Sequence, residues 1–275
     1  MSAKVVYFGN DMLSSCFDEF ITHGFQIEAV FVNPQENNAA QIIQKASRHG
    51  VPIETGRPTQ ARLESFKDRG VDLFFCAEYQ FKIPLPPDLK YGVNLHTSLL
   101  PEGRGPTPLP YFVKSYPSYS GLTLHKLNDE FDRGDIILQR AIPVTKSDTL
   151  NSLTVKMAIH APELLAEFLE DINTLYRQAT PQTGGSQWSV PGLEERTLNF
   201  TLPVEELRER FMRFGHFGLV MELNQKLWRV IHAEVVPYSH VNKPGELFFE
   251  QSELFAIAIP DGFVCIPKYC LVELA

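Results

Sequence analysis

The sequence is poor in cysteine: Cys16, Cys76, Cys265 and Cys270 are the only four in 275 residues, with no CxxC pair. Nothing in that pattern suggests a disulfide framework or a zinc site. Three of the four sit in apolar runs, where a free thiol packs as a small hydrophobe. No apolar run is long enough to span a bilayer, and no signal-peptide pattern opens the chain. A reducing, cytoplasmic setting is therefore expected. Positive charge is scarce too, with 25 Lys and Arg against 33 Asp and Glu, a net charge of -8. That balance argues against a general binder of phosphate backbones. Two glycine motifs are missing. The first turn, Gly9-Asn10-Asp11-Met12, is not GxGxxG, so no NAD is expected. No Gly-x-Ser-x-Gly elbow surrounds Ser98, which is not read as a nucleophile.

What the sequence does contain is a strong alternation of elements. Lys4 to Gly9 is a short apolar run ending in glycine, the pattern of a buried strand. Asn10 and Asp11 can cap a helix over about Leu13 to His23. Strands follow at Gln26 to Val32, Pro52 to Glu54 and Val71 to Ala77, with helices at Asn37 to His49 and Leu63 to Arg69 between them. This βαβαβ order predicts a parallel sheet wound with helices on both faces. Strands at Leu122 to Leu127 and Ile136 to Ile142 precede a long amphipathic helix, about Thr149 to Tyr176, which carries Pro162 inside it. Residues 178–196 are rich in Gly, Pro and Ser and read as a linker. A helix over Pro203 to Phe214 and short strands at Leu219 to Leu223, Lys226 to Val236, Glu246 to Phe249, Leu254 to Ile259 and Phe263 to Ile266 predict a small β-rich domain. The expected division is 1–177, a linker at 178–196, and 197–275.

The stretch from Gly92 to Asp135 carries the chemistry. Asn94 and His96 lie two apart in a strand-like run, so both side chains point to one face. Asp132 lies in a turn-rich segment after the next strand and can close on them. Alone, an Asn-x-His at a strand end can do no more than cap a turn. In open α/β sheets ligands bind beyond the carboxyl ends of the strands, so the Ala77 end, the His96 end and the 128–135 loop are expected to share one crevice. Arg104, in a glycine-flanked turn, can hold an acceptor phosphate or carboxylate, or serve as a structural arginine.

These residues occur as Asn94-x-His96, Ser98-Leu99-Leu100-Pro101, Arg104-Gly105 and Phe131-Asp132-Arg133-Gly134. In that order the chain resembles the formyltransferases that use 10-formyltetrahydrofolate, over about residues 3–170. The C-terminal region is more weakly similar to the OB-like domain of methionyl-tRNA and aminoarabinose formyltransferases. The resemblance implies an α/β, Rossmann-like wound sheet with a small OB-like domain, and an N-formyltransferase with 10-formyltetrahydrofolate as co-substrate and no metal. It implies catalytic roles for Asn94, His96 and Asp132. It places the pterin between Phe81, Lys82 and Ile83 on one loop and Asn128, Asp129 and Glu130 on the other. Phe81 and Ile83 also suit a core, and His125, near the site by resemblance, equally suits packing. In such a reaction Asn94 can donate to a tetrahedral oxyanion, His96 can move the amine proton, and Asp132 can orient His96.

The acceptor is expected to be a primary amine on a small metabolite, either a nucleotide-linked amino sugar or an amino-acid-derived amine such as hydroxyornithine. Methionyl-tRNA enzymes carry a basic insertion after the second strand, whereas residues 33–42 here hold no Lys or Arg. No nucleic acid and no membrane are expected as partners, and a homodimer is allowed. Methionyl-tRNA formylation, hydrolysis of the folate, and a non-catalytic folate module stay open as alternatives.

Overall fold

The computed structural model describes residues 3–33 and 38–274. Residues 34–37 of the stretch read for basic charge thus lie outside the described residues, as does the expected first residue of the second helix, Asn37. The elements run β1 Lys4–Gly9, α1 Ser15–Thr22, β2 Gln26–Val32, α2 Ala40–Arg48, β3 Ile53–Thr55, α3 Gln60–Asp68, β4 Leu73–Ala77, β5 Tyr91–His96, α4 Leu109–Phe112, β6 Gly121–Lys126, β7 Ile136–Ala141, α5 Leu150–Glu170 and α6 Ile172–Arg177. After these come α7 Leu193–Arg196, α8 Val204–Phe214, β8 Leu219–Leu223, β9 Lys226–Val230, β10 Glu234–Pro237, β11 Leu247–Glu250, β12 Leu254–Ile259, β13 Gly262–Pro267 and β14 Leu271–Glu273.

The chain divides into two compact units. One comprises Met1–Pro108, Ser118–Pro143 and Thr154–Ser189, the other Leu109–Pro117, Val144–Leu153 and Val190–Ala275. The first is built on a seven-stranded sheet in the order β3-β2-β1-β4-β5-β6-β7. β1 to β5 run parallel, the wound order expected from the βαβαβ pattern, while β6 and β7 are antiparallel additions to its edge. β1 is apolar throughout because both its faces are covered. Val6 and Phe8 pack with Phe31, Leu63, Phe66 and Phe74 on one side. Tyr7 packs against Phe17, Phe20 and Phe75 on the other. Each fully buried Phe contributes about 1.5–3 kcal/mol from burial.

Two local expectations change. Asp11 does not cap α1; its Oδ1 accepts from Ile42 N, 2.9 Å away in the first turn of α2. The N–H of Leu13, ahead of α1, is instead taken by Glu78 Oε2 at 3.3 Å. The long helix is two helices, α5 and α6, because Asp171 caps a new start by accepting from Thr174 N at 3.2 Å. Pro162 does not break α5: the carbonyl that its missing N–H leaves unpaired, Ala158 O, accepts from Ser15 Oγ at 3.2 Å.

The second unit is β-rich and antiparallel, with sheets in the orders β10-β13-β12-β11 and β14-β9-β8. Leu207, Phe214, Leu219, Val230, Phe255, Ile259 and Val264 share its core. The run expected as one strand over 226–236 is β9 and β10, which enter different sheets. Among the described residues no helix is long and apolar enough to cross a membrane, and no group of three or more His, Cys, Asp or Glu is arranged to hold a metal.

Candidate active site

β5 delivers Asn94 and His96 to one face, as the two-residue spacing requires. Its neighbour β6 runs antiparallel with Asn94 opposite His125 and His96 opposite Thr123. Register alone therefore adds a second imidazole. Asp132 arrives from the loop after β6, in the left-handed region at φ 58°. That loop closes because Gly134 lies against the Lys126 backbone, where a Cβ would stand 1.7 Å from Lys126 O. Asp135 braces it, with Lys126 N donating to its carbonyl at 2.9 Å and Lys126 Nζ to its Oδ2 at 3.0 Å.

Four side chains meet here. Asn94 Nδ2 lies 2.9 Å from His125 Nε2 and 3.5 Å from Asp132 Oδ1. Asp132 Oδ1 stands 3.5 Å from His96 Nδ1 and 3.7 Å from His125 Nε2. Carbonyl oxygens only accept, so they fix the tautomers. His125 Nδ1 donates to Lys126 O at 2.9 Å, which leaves Nε2 to accept from Asn94. His96 Nε2 donates to Gly103 O at 2.9 Å, which leaves Nδ1 as the free base of the neutral ring. The short bond to His125 sets the plane of the Asn94 amide. Its second N–H, held only at 3.5 Å, is the one a developing oxyanion can take.

Electrostatics fit those roles. His96 is 8% exposed, and burial pulls it below the ordinary imidazole value of 6.5, outweighing Asp132 and Gly103 O, which pull it up. It is thus neutral near pH 7. Burial pushes the Asp132 carboxyl up, but His96, His125 and the N–H of Gly105 outweigh that and hold it at about 2. Gly105 N donates to Asp132 Oδ2 at 2.9 Å. Cys76 pairs with Asn94 in the sheet. Burial pushes its thiol up to about 12, so it stays protonated and offers no thiolate.

The other expected residues divide. Lys82 is exposed and lies 3.7 Å from Asp129, linking the two loops. Asn128 Oδ1 accepts from Glu130 N at 2.9 Å in a local turn, and Glu130 pairs with Arg133 at 3.1 Å. Ile83 is 6% exposed in the apolar cluster of Phe8 and Phe74, with Phe81 packed against that cluster, so the Ile83 side chain serves the core. The side-chain bonds of Arg104 run within this unit. Arg104 is 4% exposed and donates to Gln182 Oε1 from Nε at 3.0 Å and Nη2 at 2.8 Å, and to Gly184 O at 2.9 Å. Residues 180–188, read from composition as part of a linker, are bonded along their length to the rest of this unit. Thr180 bridges Ile136, and Ser186 and Trp188 bond the backbone of Arg104.

A cavity of about 350 Å³ belongs to the second unit, lined by Phe211, Met212, Ile231, Ala233 and Val235 with Arg208 and His232. It brings together no base and carboxylate of the kind found around Asn94. Sequence reasoning undervalued His125, because its role depends on a strand register that spacing does not reveal. It missed Gly103 O, Gly105 N–H and Gln182, which act through backbone or from a segment whose composition signals only turns.

The family model described as formyl transferase matches residues 3–169. The chain is 28% identical over 250 residues to the methionyl-tRNA formyltransferase of Janthinobacterium sp. (strain Marseille), covering 82% of this chain and 78% of that one. It superposes on the N-formyltransferase from Helicobacter canadensis, solved in complex with folinic acid and dTDP-3-aminofucose, with a TM-score of 0.65 at 19% identity and full coverage of both chains. HypX from Aquifex aeolicus gives a TM-score of 0.68 at 17% identity. That match covers all of this chain and 46% of HypX, so the chain spans under half of that protein's length.

Proposed function

This chain belongs to the formyl transferase family, and on that premise we propose that it moves a formyl group from 10-formyltetrahydrofolate to the primary amine of a small metabolite. The observation that carries the reading is the cluster itself: a neutral imidazole with Nδ1 unprotonated, a carboxylate beside it, and an amide N–H directed into the same space. The amine nitrogen attacks the formyl carbon, and Asn94 donates its second N–H to the oxyanion that forms. His96 Nδ1 takes the amine proton, stabilised as imidazolium by Asp132, and returns it to N10 of the folate as the C–N10 bond breaks. The products are the N-formyl amine and tetrahydrofolate.

The pterin takes the slot between the 81–83 and 128–132 loops, in which Phe81 and Lys82 offer side chains and Ile83 packs from behind. The acceptor is a nucleotide-linked amino sugar or an amino-acid-derived amine. The Helicobacter canadensis structure, whose ligands are folinic acid and dTDP-3-aminofucose, supports the first class. The methionyl-tRNA relatives favour a second reading, tRNA; the net charge of -8 speaks against it. We place the enzyme in the cytoplasm, where its four free cysteines stay reduced, and allow a homodimer. The test measures tetrahydrofolate release with and without a panel of amino-sugar nucleotides, ornithine derivatives and charged initiator tRNA. Release that depends on a small amine supports the reading. Equal release with no amine makes the protein a hydrolase, and no release makes it a binding module.

A further inference from the structure

Gln182 makes four hydrogen bonds, all that a primary amide can make. Its Oε1 accepts twice from Arg104, at 3.0 and 2.8 Å. Its Nε2 donates to Asp132 O at 2.9 Å and to Gly134 O at 2.7 Å. One side chain thus ties the loop that follows β5 to the loop that follows β6. Asp132 needs such a tie, because a left-handed non-glycine residue persists only where its surroundings over-determine it. Here its carbonyl is held by Gln182 and its Oδ2 by Gly105 N–H.

The same segment fixes the other half of the site. Arg104 N donates to Ser186 O at 3.1 Å, and Trp188 N donates to Arg104 O at 2.7 Å. Gly103 N donates to Ser186 Oγ at 3.0 Å, while Gly103 O is the acceptor that sets the His96 tautomer. Gly105 sits so close to this segment that a Cβ would stand 2.1 Å from Trp188 O, at φ 119°. The two groups on His96 and Asp132 that must be held to a fraction of an ångström are therefore clamped from one strip of chain.

We propose that Gln182 is a positioning residue of the transfer site: it locks the Asp132 turn to the Arg104 loop, so that Asp132 Oδ1 faces His96 and Asn94. Resting on the function read above, this assigns Arg104 to the same device, as the cation that orients the Gln182 amide. The geometry separates the two halves of the clamp. Gln182→Glu keeps an acceptor for Arg104 but has no donor for the Asp132 and Gly134 carbonyls. Gln182→Met keeps the length of the side chain and loses both.

Two readouts are taken on the full chain. Steady-state kinetics with the best amine should show kcat reduced about ten- to a hundredfold in both variants, the scale of a sub-ångström misplacement. KM for the folate should change less than kcat, within about threefold of the wild-type value, since Gln182 bonds the end of the 128–132 loop, at Asp132 O and Gly134 O, and not Asn128, Asp129 or Glu130. Amide hydrogen exchange at Gly105, whose N–H is held by Asp132 Oδ2, should accelerate about tenfold or more in both, as a released turn requires. Exchange in β1 should stay unchanged. Gly105 exchange at the wild-type rate, or kcat within about twofold of wild type in both variants, overturns the proposal. If Gln182→Met does not fold, Gln182→Glu decides. If the wild-type chain transfers no formyl group, the functional reading fails, and Gly105 exchange alone still decides whether Gln182 holds the turn.

Discussion

His96 faces two acceptors, Gly103 O and Asp132 Oδ1, and which nitrogen carries the proton decides what the ring can do. With the proton on Nε2 it is a base; with both protonated it is a cation locked to Asp132. Because burial holds it below 6.5, the base form should already dominate at neutral pH. We expect kcat/KM to rise with pH along an acid limb centred below 6.5, and to be flat by about pH 7.5. A limb centred above about 7 would mean that Asp132 outweighs burial. Single replacement of Asn94, His96 or Asp132 by Ala should cost at least about a hundredfold in kcat, near 3 kcal/mol of barrier. Near-normal turnover in two of the three would remove the assignment. Asp132 also bears on stability. Its carboxyl is lowered from 3.8 to about 2, a contribution of order 2 kcal/mol, present in full above the ordinary value and lost as pH falls through about 2. Urea unfolding at about pH 5 and about pH 3 should show the wild type losing roughly 1 kcal/mol more than Asp132→Asn over that interval.

At the scale of elements, α5 shows how a helix tolerates an internal proline. Pro162 cannot bond Ala158 O, and Ser15 Oγ does so from α1. Ser15→Ala should therefore destabilise the chain by about 1 kcal/mol. The same change in a Pro162→Ala background, where an N–H replaces the hydroxyl, should cost close to nothing. A double-mutant cycle of urea midpoints measures the difference, and additive costs would show that the hydroxyl is not a substitute donor. Elements of this kind were legible in the sequence where hydrophobic period and punctuation agreed. β1, β2, β8 and β12 fall where their apolar runs end. The break between α5 and α6 was not legible, since one capping bond at Asp171 competes with an apolar period that runs on. Nor was the switch of sheets between β9 and β10, because alternation reports the face of a strand and not its partner. The site divides in the same way. Asn94 and His96 follow from spacing on one strand, whereas His125 requires the β5–β6 register. Gln182 requires knowing that a stretch rich in Gly and Pro lies bonded against two loops. Arg104 stayed open for a related reason: an arginine flanked by glycines reads equally as an anion anchor or a structural residue until its partners are known.

For the molecule as a whole, charge sets what can be gripped. A protein that holds an acceptor stem through several phosphates releases counterions, so its affinity falls steeply with salt. This chain has a net charge of -8, and residues 33–42 contain no Lys or Arg. On α2 the two cations are Lys45 and Arg48, and Lys45 is already committed to Asp18 and to Ser14 O. Arg104, in the loop that follows His96, is internal to that loop, and Arg133, beside Asp132, pairs with Glu130. A basic stripe for tRNA would have to be assembled from what remains. A small amine needs only space beside His96 and Asn94. Turnover with the small acceptor should then change by less than about threefold between about 50 and 200 mM salt, because few counterions are released on binding. Charged initiator tRNA, offered at both salt levels, should be formylated poorly at each. Efficient formylation of the tRNA, with an affinity that falls by roughly three decades over that range, would reverse the assignment of acceptor. The roles of Asn94, His96 and Asp132 would be untouched, since the chemistry at the formyl carbon is the same for either amine.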